Sequence, residues 1–250
     1  MPKRYEGLAY WEIVTRQMGF LKKNEQLKLK KGKITVIGCG GIGGAAIEML
    51  ARMGVGSLSI IDKDTFNISN INRQIMSTFH NIGKSKAAIG KKRVWKINPF
   101  TKIKTFNGEV TEDNANKLIK DSDIVIDAMD NIISRVIVSR ECRKSKIPFI
   151  HGAVHASRGQ VTVFGDETPS YEEVFKLPSK DLKLTSEVKE EVRSLEGEIP
   201  PVIGPAPNIV GCIESFEALK LLTGKGSVMW APKLLTFDLL RDDPFKLVEL

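Results

Sequence analysis

The apolar run Lys33-Ile34-Thr35-Val36-Ile37 passes directly into Gly38-Cys39-Gly40-Gly41-Ile42-Gly43-Gly44. A helical stretch to Met53 and the turn Gly54-Val55-Gly56 follow, and the next apolar run, Ser57 to Ile61, closes on Asp62 and Asp64. A strand, a glycine turn, a helix start and a second strand ending in a carboxylate constrain the fold severely. That order is the nucleotide-binding half of a Rossmann-type sheet, in which glycines let backbone N–H groups approach phosphate and the acid holds ribose hydroxyls. By itself it specifies some nucleotide, and suits a dinucleotide as well as ATP.

Further strands alternate with helices. The pattern predicts a helix over 84–96 ended by Asn98-Pro99, strands near 102–106 and 123–127, a helix to Arg143 and a strand near 146–150. Such alternation argues for an α/β fold: a mostly parallel sheet with helices on both faces and right-handed crossovers. After Gly159 the run 160–164 reads as an antiparallel extension, a helix is expected over 209–223, and 234–238 and 245–249 read as paired closing strands. Residues 166–205 are polar, without a strong period, and are expected to form a long mobile loop. The chain is expected to be one domain: an N-terminal helical arm over 1–30, a nucleotide-binding core over 31–165, that loop, and a C-terminal helix with strands over 206–250.

Composition narrows the classes. A chain of 250 residues with 42% hydrophobic and 27% charged residues is ordinary for a globular protein. It lacks both a run long enough to span a bilayer and the apolar core of a signal peptide, so no membrane partner is expected and the cytoplasm is the expected location. The net charge of +8 fits a lysine-rich surface that attracts anionic substrates. Nucleic acid is disfavoured, because the aromatic residues, 7% of the chain, do not interleave with the basic clusters. Three widely spaced cysteines, Cys39, Cys142 and Cys212, form no Cys-x-x-Cys pair; they read as buried small apolar residues, and neither a disulfide framework nor a zinc site is expected.

Beyond the acidic pair come Asn70, Arg73 and Gln74, then Lys86 after Gly83, then Asp130 and Asn131 past a buried strand. A dinucleotide needs little beyond the glycine turn. Two amides and two cations gathered beyond the second strand suit a triphosphate. Asp130 stands at the carboxyl end of a parallel strand, where open sheets place ligands, and a carboxylate facing a triphosphate is a natural Mg²⁺ ligand.

With these residues the chain resembles the ThiF/MoeB/HesA family of adenylating enzymes related to ubiquitin-activating enzymes. The resemblance rests on Arg16-Gln17, Gly38-Cys39-Gly40-Gly41-Ile42-Gly43, Asp62-Lys63-Asp64, Asn70-Ile71-Asn72-Arg73-Gln74, Gly83-x-x-Lys86, Asn98-Pro99, Asp127-Ala128-Met129-Asp130-Asn131, the stretch 159–164 and the stretch 217–224. It implies a homodimer that adenylates a carboxylate with Mg-ATP. Carried over by position, Asp62 would hold the ribose, Asn70, Arg73 and Lys86 the phosphates, and Asp130 the Mg²⁺. Arg16 would reach into the partner subunit's site. Gly38, Gly40, Gly41, Gly43, Asp64, Gln74 and Asn131 complete the expected nucleotide site.

The chain departs from that family in two places. Tyr171-Glu172-Glu173-Val174 stands near the first expected zinc-binding Cys-x-x-Cys, and residues 151–205 contain no cysteine to take up an acyl group or sulfur. A separate protein is therefore expected to accept the acyl group. These departures favour a small-molecule carboxylate. They resemble the branch of the family that serves the [Fe]-hydrogenase cofactor pathway and activates a guanylylpyridinol precursor. The alternatives are the C-terminal glycine of a ubiquitin-like sulfur carrier, a tRNA-modifying dehydratase, and a non-catalytic ATP-binding adaptor. His151, His155 and Arg158 are candidates for lining the acyl-substrate pocket.

Overall fold

A computed structural model describes residues 9–198 and 200–250. Eight strands form one sheet in the order β3-β2-β1-β4-β5-β6-β7-β8. Their ranges are β1 Lys33–Ile37, β2 Ser57–Ile61, β3 Lys102–Phe106, β4 Ile124–Asp127, β5 Phe149–His155, β6 Arg158–Phe164, β7 Lys233–Asp238 and β8 Phe245–Glu249. The first five pair in parallel and the rest antiparallel, as expected.

The chain leaves β1 toward β2 on one side and returns to β4 on the other. The carboxyl ends of β1 and β4 thus flank a switch point, where such sheets bind ligands. Successive residues of the buried strands serve opposite faces: Val36 packs in one core and Ile37 in the other, as do Ile150 and Phe149.

One face carries α2 Lys23–Lys31, α3 Gly41–Met53, α4 Lys86–Ile97 and α9 Pro205–Thr223, through Leu29, Ile47, Leu50, Val94, Val210 and Ala218. The other carries α5 Ala115–Ile119 and α6 Ile132–Lys144, through Ile119, Val136 and Cys142. Glu48 of α3, nearly buried, accepts from Arg52 and from Arg93 of α4 at 2.8–3.1 Å and ties these helices together. Local signals set the helix ends. Gly54 closes α3 and Gly224 closes α9, both at positive φ, and Asn98 ends α4 ahead of Pro99.

One expectation gains detail and one changes. The described part of the N-terminal arm is the short helix α1 Ala9–Ile13, a single 3₁₀ turn at Thr15–Gln17, and α2. In α2 only Gln26 and Leu29 are buried, so the lysines cover the helix's solvent side. The segment 166–205 is not one irregular loop. It holds α7 Tyr171–Val174 and α8 Ser186–Ser194. Tyr171, Leu177, Leu184 and Val192 are buried beside α6, and Glu172 receives two bonds from Arg140 at 2.7 and 2.8 Å. The apolar residues are spaced too unevenly to show a period. No helix among the described residues is long and apolar enough to cross a membrane.

Candidate functional site

Four helices, α3, α4, α6 and α9, begin around a cavity of about 360 Å³ at the switch point. Gly38, Gly40, Gly41, Asp62, Asp64, Arg73, Gln74, Lys86, Asp130 and Asn131 all line it.

The helix starts differ in what they leave open. Ser85 caps α4 by accepting from Ala88 N–H. Asn131 caps α6 by accepting from Ser134 N–H at 2.8 Å, and Glu196 accepts from Ile132 N–H. The start of α3 at Gly40 has no side-chain cap. Its free N–H groups and the positive end of a 13-residue helix therefore make the cavity's anion seat.

Backbone conformation explains the glycines. Gly38 has φ of +98°, and a Cβ there would overlap the Ala128 carbonyl. Gly43 does not line the cavity: a Cβ there would overlap the Gly38 carbonyl oxygen, so it lets α3 pack against the turn. Cys39, fully buried with its thiol pushed well up by burial, is packing and not chemistry.

Asp62 accepts from Cys39 N–H at 2.6 Å through Oδ2 and from Asp64 N–H at 2.7 Å through Oδ1. Burial raises its pKa, and the two N–H donors oppose that rise. Its orientation is thus fixed before any hydroxyl arrives. Lys86 begins α4; its side chain is 9% exposed and its Nζ lies 3.1 Å from Asp64 Oδ2, the carboxylate being half exposed. The Arg73 guanidinium is held by Ser69 O and Asn72 Oδ1, both at 2.9 Å. Asp130 is exposed, and its one side-chain contact is a long 3.5 Å approach from Asn131 Nδ2. An exposed carboxylate beside an anion seat fits Mg²⁺, which takes one or two carboxylates and completes its shell with phosphate oxygens and water.

Other expected site residues lie elsewhere. Asn70 is buried away from the cavity, and its Oδ1 accepts from Asn67 N–H at 2.9 Å to hold the turn that presents Arg73. His151, the third residue of β5, is buried 2.7 Å from Asp127 Oδ2 and lines no part of the cavity. It packs against Tyr171 and Phe175, while Ala153 and Val154, nearer the carboxyl end of β5, reach the wall. His155 is exposed, and Arg158 pairs with Asp238 on the outer sheet at 3.2 Å. Arg16 is exposed at the opposite edge of the sheet, where its neighbour Gln17 donates to Met53 O at the end of α3. The 13 residues of α3, ~20 Å at 1.5 Å per residue, separate that edge from the cavity. Cys212, expected to be buried, is exposed on α9.

The sequence reading missed Arg135, which lines the cavity one turn into α6, and the strap of Pro200 and Val202. Val202 O accepts from Asn72 Nδ2 at 3.2 Å, and Pro201 O accepts from Ala156 N–H at 2.7 Å. Glycine-turn reasoning has no signal for residues brought in from 160 positions away. Arg135 did carry one, following the capping Asn131 by four residues.

Glu214 of α9 was missed too. It is fully buried against Gly152, with no hydrogen bond to either carboxyl oxygen among the described residues. Burial raises its pKa well above 4.5, and the nearby Asp127 adds to the rise. The folded chain thus keeps a proton that the unfolded chain releases. Stability contributed by this group falls as pH rises above ~4.5, by about 1.4 kcal/mol per unit until the folded group ionises. Glu214→Gln removes that loss. Its urea midpoint relative to the parent is expected to improve from pH 5 to pH 8, and an unchanged difference would remove the assignment.

The sequence profile of the ThiF family matches residues 14–250. The chain is 34% identical over 212 residues to the molybdopterin-synthase adenylyltransferase of Haemophilus influenzae, covering 84% of this chain and 81% of that protein. It is 30% identical over 226 residues to the sulfur carrier protein adenylyltransferase of Thermus thermophilus, covering 86% and 78%. Against a probable molybdopterin-synthase adenylyltransferase of Porphyra purpurea, at 36% identity over 210 residues, 84% of this chain spans only 53% of that protein. Among solved structures, Escherichia coli MccB with ATP superposes with a TM-score of 0.75 at 19% identity, over 90% of this chain and 65% of that one, a likeness of fold. The cavity, its uncapped helix and the family match agree: the chain belongs to the ThiF family.

Proposed function

We propose that the protein adenylates a carboxylate with ATP, releasing pyrophosphate. The observation that carries this is one cavity combining the uncapped start of α3 with Lys86, Arg73 and Asp130. Relatives named as adenylyltransferases support it. A carboxylate oxygen of the acid attacks the α-phosphorus, the bond to the bridging oxygen breaks, and that electron pair leaves with pyrophosphate. Positioning and charge neutralisation do most of the work. The α3 N–H groups and Arg73 hold phosphate oxygens, Asp62 fixes the ribose, and the nearly buried Lys86 meets the charge growing at the α-phosphate. Asp130 would hold Mg²⁺, which supplies further neutralisation of the phosphates.

Lys86→Ala is expected to lower the exchange rate ~10²–10³-fold, the loss typical when one preorganised donor is removed from a developing negative charge. A smaller change than tenfold would take Lys86 out of that role.

None of the three cysteines lines the cavity, so the acyl group passes from adenylate to a separate acceptor. The acid we favour is a small molecule, such as the guanylylpyridinol precursor of the [Fe]-hydrogenase cofactor. The missing loop cysteine supports that choice. The second reading, the C-terminal glycine of a sulfur carrier, is favoured by the relatives' names. Arg16, remote from its own cavity, acts in this reading across a homodimer. ATP–pyrophosphate exchange with the pyridinol acid and with a sulfur carrier separates the two: exchange with the carrier alone sinks the small-molecule reading. Exchange with neither, across a panel of acids, sinks adenylation itself.

A further inference from the structure

Two side chains from different elements grip the backbone of Met129. Asp127, the fully buried last residue of β4, accepts from Met129 N–H through Oδ1 at 3.0 Å. Arg135 of α6 donates through Nη2 to Met129 O at 2.5 Å. The two are joined, Arg135 Nε lying 3.2 Å from Asp127 Oδ2 without an aligned hydrogen bond. His151 Nδ1 meets the same Oδ2 at 2.7 Å and is wedged between the rings of Tyr171 and Phe175 at 5.1 and 5.2 Å.

Asp130 is the next residue. On its other side Asn131 is fixed as the cap of α6. The backbone of Asp130 is thus pinned at both neighbours, while its carboxylate keeps only one long contact. A fixed backbone carrying a nearly uncommitted carboxylate is what a metal ligand requires, and outer hydrogen bonds of this kind tune metal affinity. Buried charge also has an energetic cost unless geometry compensates, which makes a purely structural pair here a poor investment.

We propose that Arg135 is a positioning residue that, through its pair with Asp127 and the His151 contact behind it, sets Asp130 for a divalent cation bound with the nucleotide; this rests on the adenylation reading above. Lysine at 135 can keep the charge beside Asp127 but has no second arm for Met129 O.

The test is Mn²⁺ binding to the full chain, followed by electron paramagnetic resonance, with the non-hydrolysable analogue AMPCPP present. In Arg135→Lys the Mn²⁺ dissociation constant is expected to rise ~10-fold, while AMPCPP affinity in EDTA changes less than about twofold and the urea midpoint confirms folding. His151→Phe, which keeps the ring packing and removes the bond to Asp127 together with the long 3.4 Å contact to Gln160, is the second variant. It is expected to weaken Mn²⁺ in the same direction, and His151→Gln to restore it. Unchanged Mn²⁺ affinity in both folded variants overturns the proposal, as does an equal loss of AMPCPP affinity in EDTA, which would make Arg135 a direct nucleotide contact. Exchange failing with every acid while the Mn²⁺ effect persists overturns the adenylation reading and upholds the clamp.

Discussion

Asp130→Asn is expected to abolish ATP–pyrophosphate exchange, a loss of ~10³-fold or more, worth about 4 kcal/mol of transition-state stabilisation. The carboxylate stands exposed at the switch point, beside the uncapped start of α3 and within the same cavity as Lys86 and Arg73. Asparagine has nearly the same shape and keeps a carbonyl oxygen, so the fold has no reason to suffer. What disappears is the negative charge that, in the proposed adenylation, would draw a divalent cation to the phosphates. Asp130 is exposed and makes one long contact among the described residues, so the unfolding free energy from urea titration should stay within about 0.5 kcal/mol of the parent. A folded variant that retains a tenth of the parent exchange would remove Asp130 as the metal-bearing group.

The second large effect is structural. Gly43→Ala places a methyl group onto the Gly38 carbonyl oxygen, with Ala128 Cβ 2.9 Å away. Neither neighbour is free to retreat. Gly38 N–H donates to Ile61 O at 2.8 Å, Ala128 N–H donates to Ile37 O at 2.9 Å, and the Ala128 carbonyl already packs on Gly38. The helix must back away from the turn or the turn must refold, and either destroys the anion seat. A loss of about 3–5 kcal/mol is expected, in the range reserved for severe overpacking. Gly44→Ala is the control. Its added methyl meets nothing nearer than Ile75 Cγ2 at 3.5 Å, so it should be neutral or slightly stabilising through helix propensity. Urea unfolding of the two variants side by side decides the matter, and equal midpoints would refute the close-approach explanation.

Residues close together in sequence were the ones read well. The strand–glycine–helix–strand–acid unit is local: period, glycine placement and the terminal carboxylate lie within 32 residues, from Lys33 to Asp64. Lys86 and Asp130 were legible because each follows a local boundary, the first turn of α4 and the end of β4. The histidines failed for a physical reason. The strand runs on past the expected end to His155, which leaves His151 as its third residue against Tyr171 and Phe175, while Ala153 and Val154, further along, met the cavity. Asn70 failed because an amide serves a turn as well as a phosphate. The helices of 166–205 were illegible because their burial depends on α6, not on a period of their own.

From the amino-acid sequence alone came the open α/β sheet, the glycine turn at its switch point and most of the polar residues that line the cavity there. Hydrophobic period, glycine conformation and carboxylate placement act over a few residues and need no distant partner. Tertiary structure alone decided that α3 meets the cavity without a side-chain cap while α4 and α6 are capped, and that Arg16 lies a helix length from its own site. It also decided that Asp127 and Arg135 close on Met129, and that the Glu214 carboxyl is buried in the core without a hydrogen-bond partner among the described residues. Each of those rests on side chains meeting across elements, where burial and alignment, not spacing along the chain, set what a polar group can do.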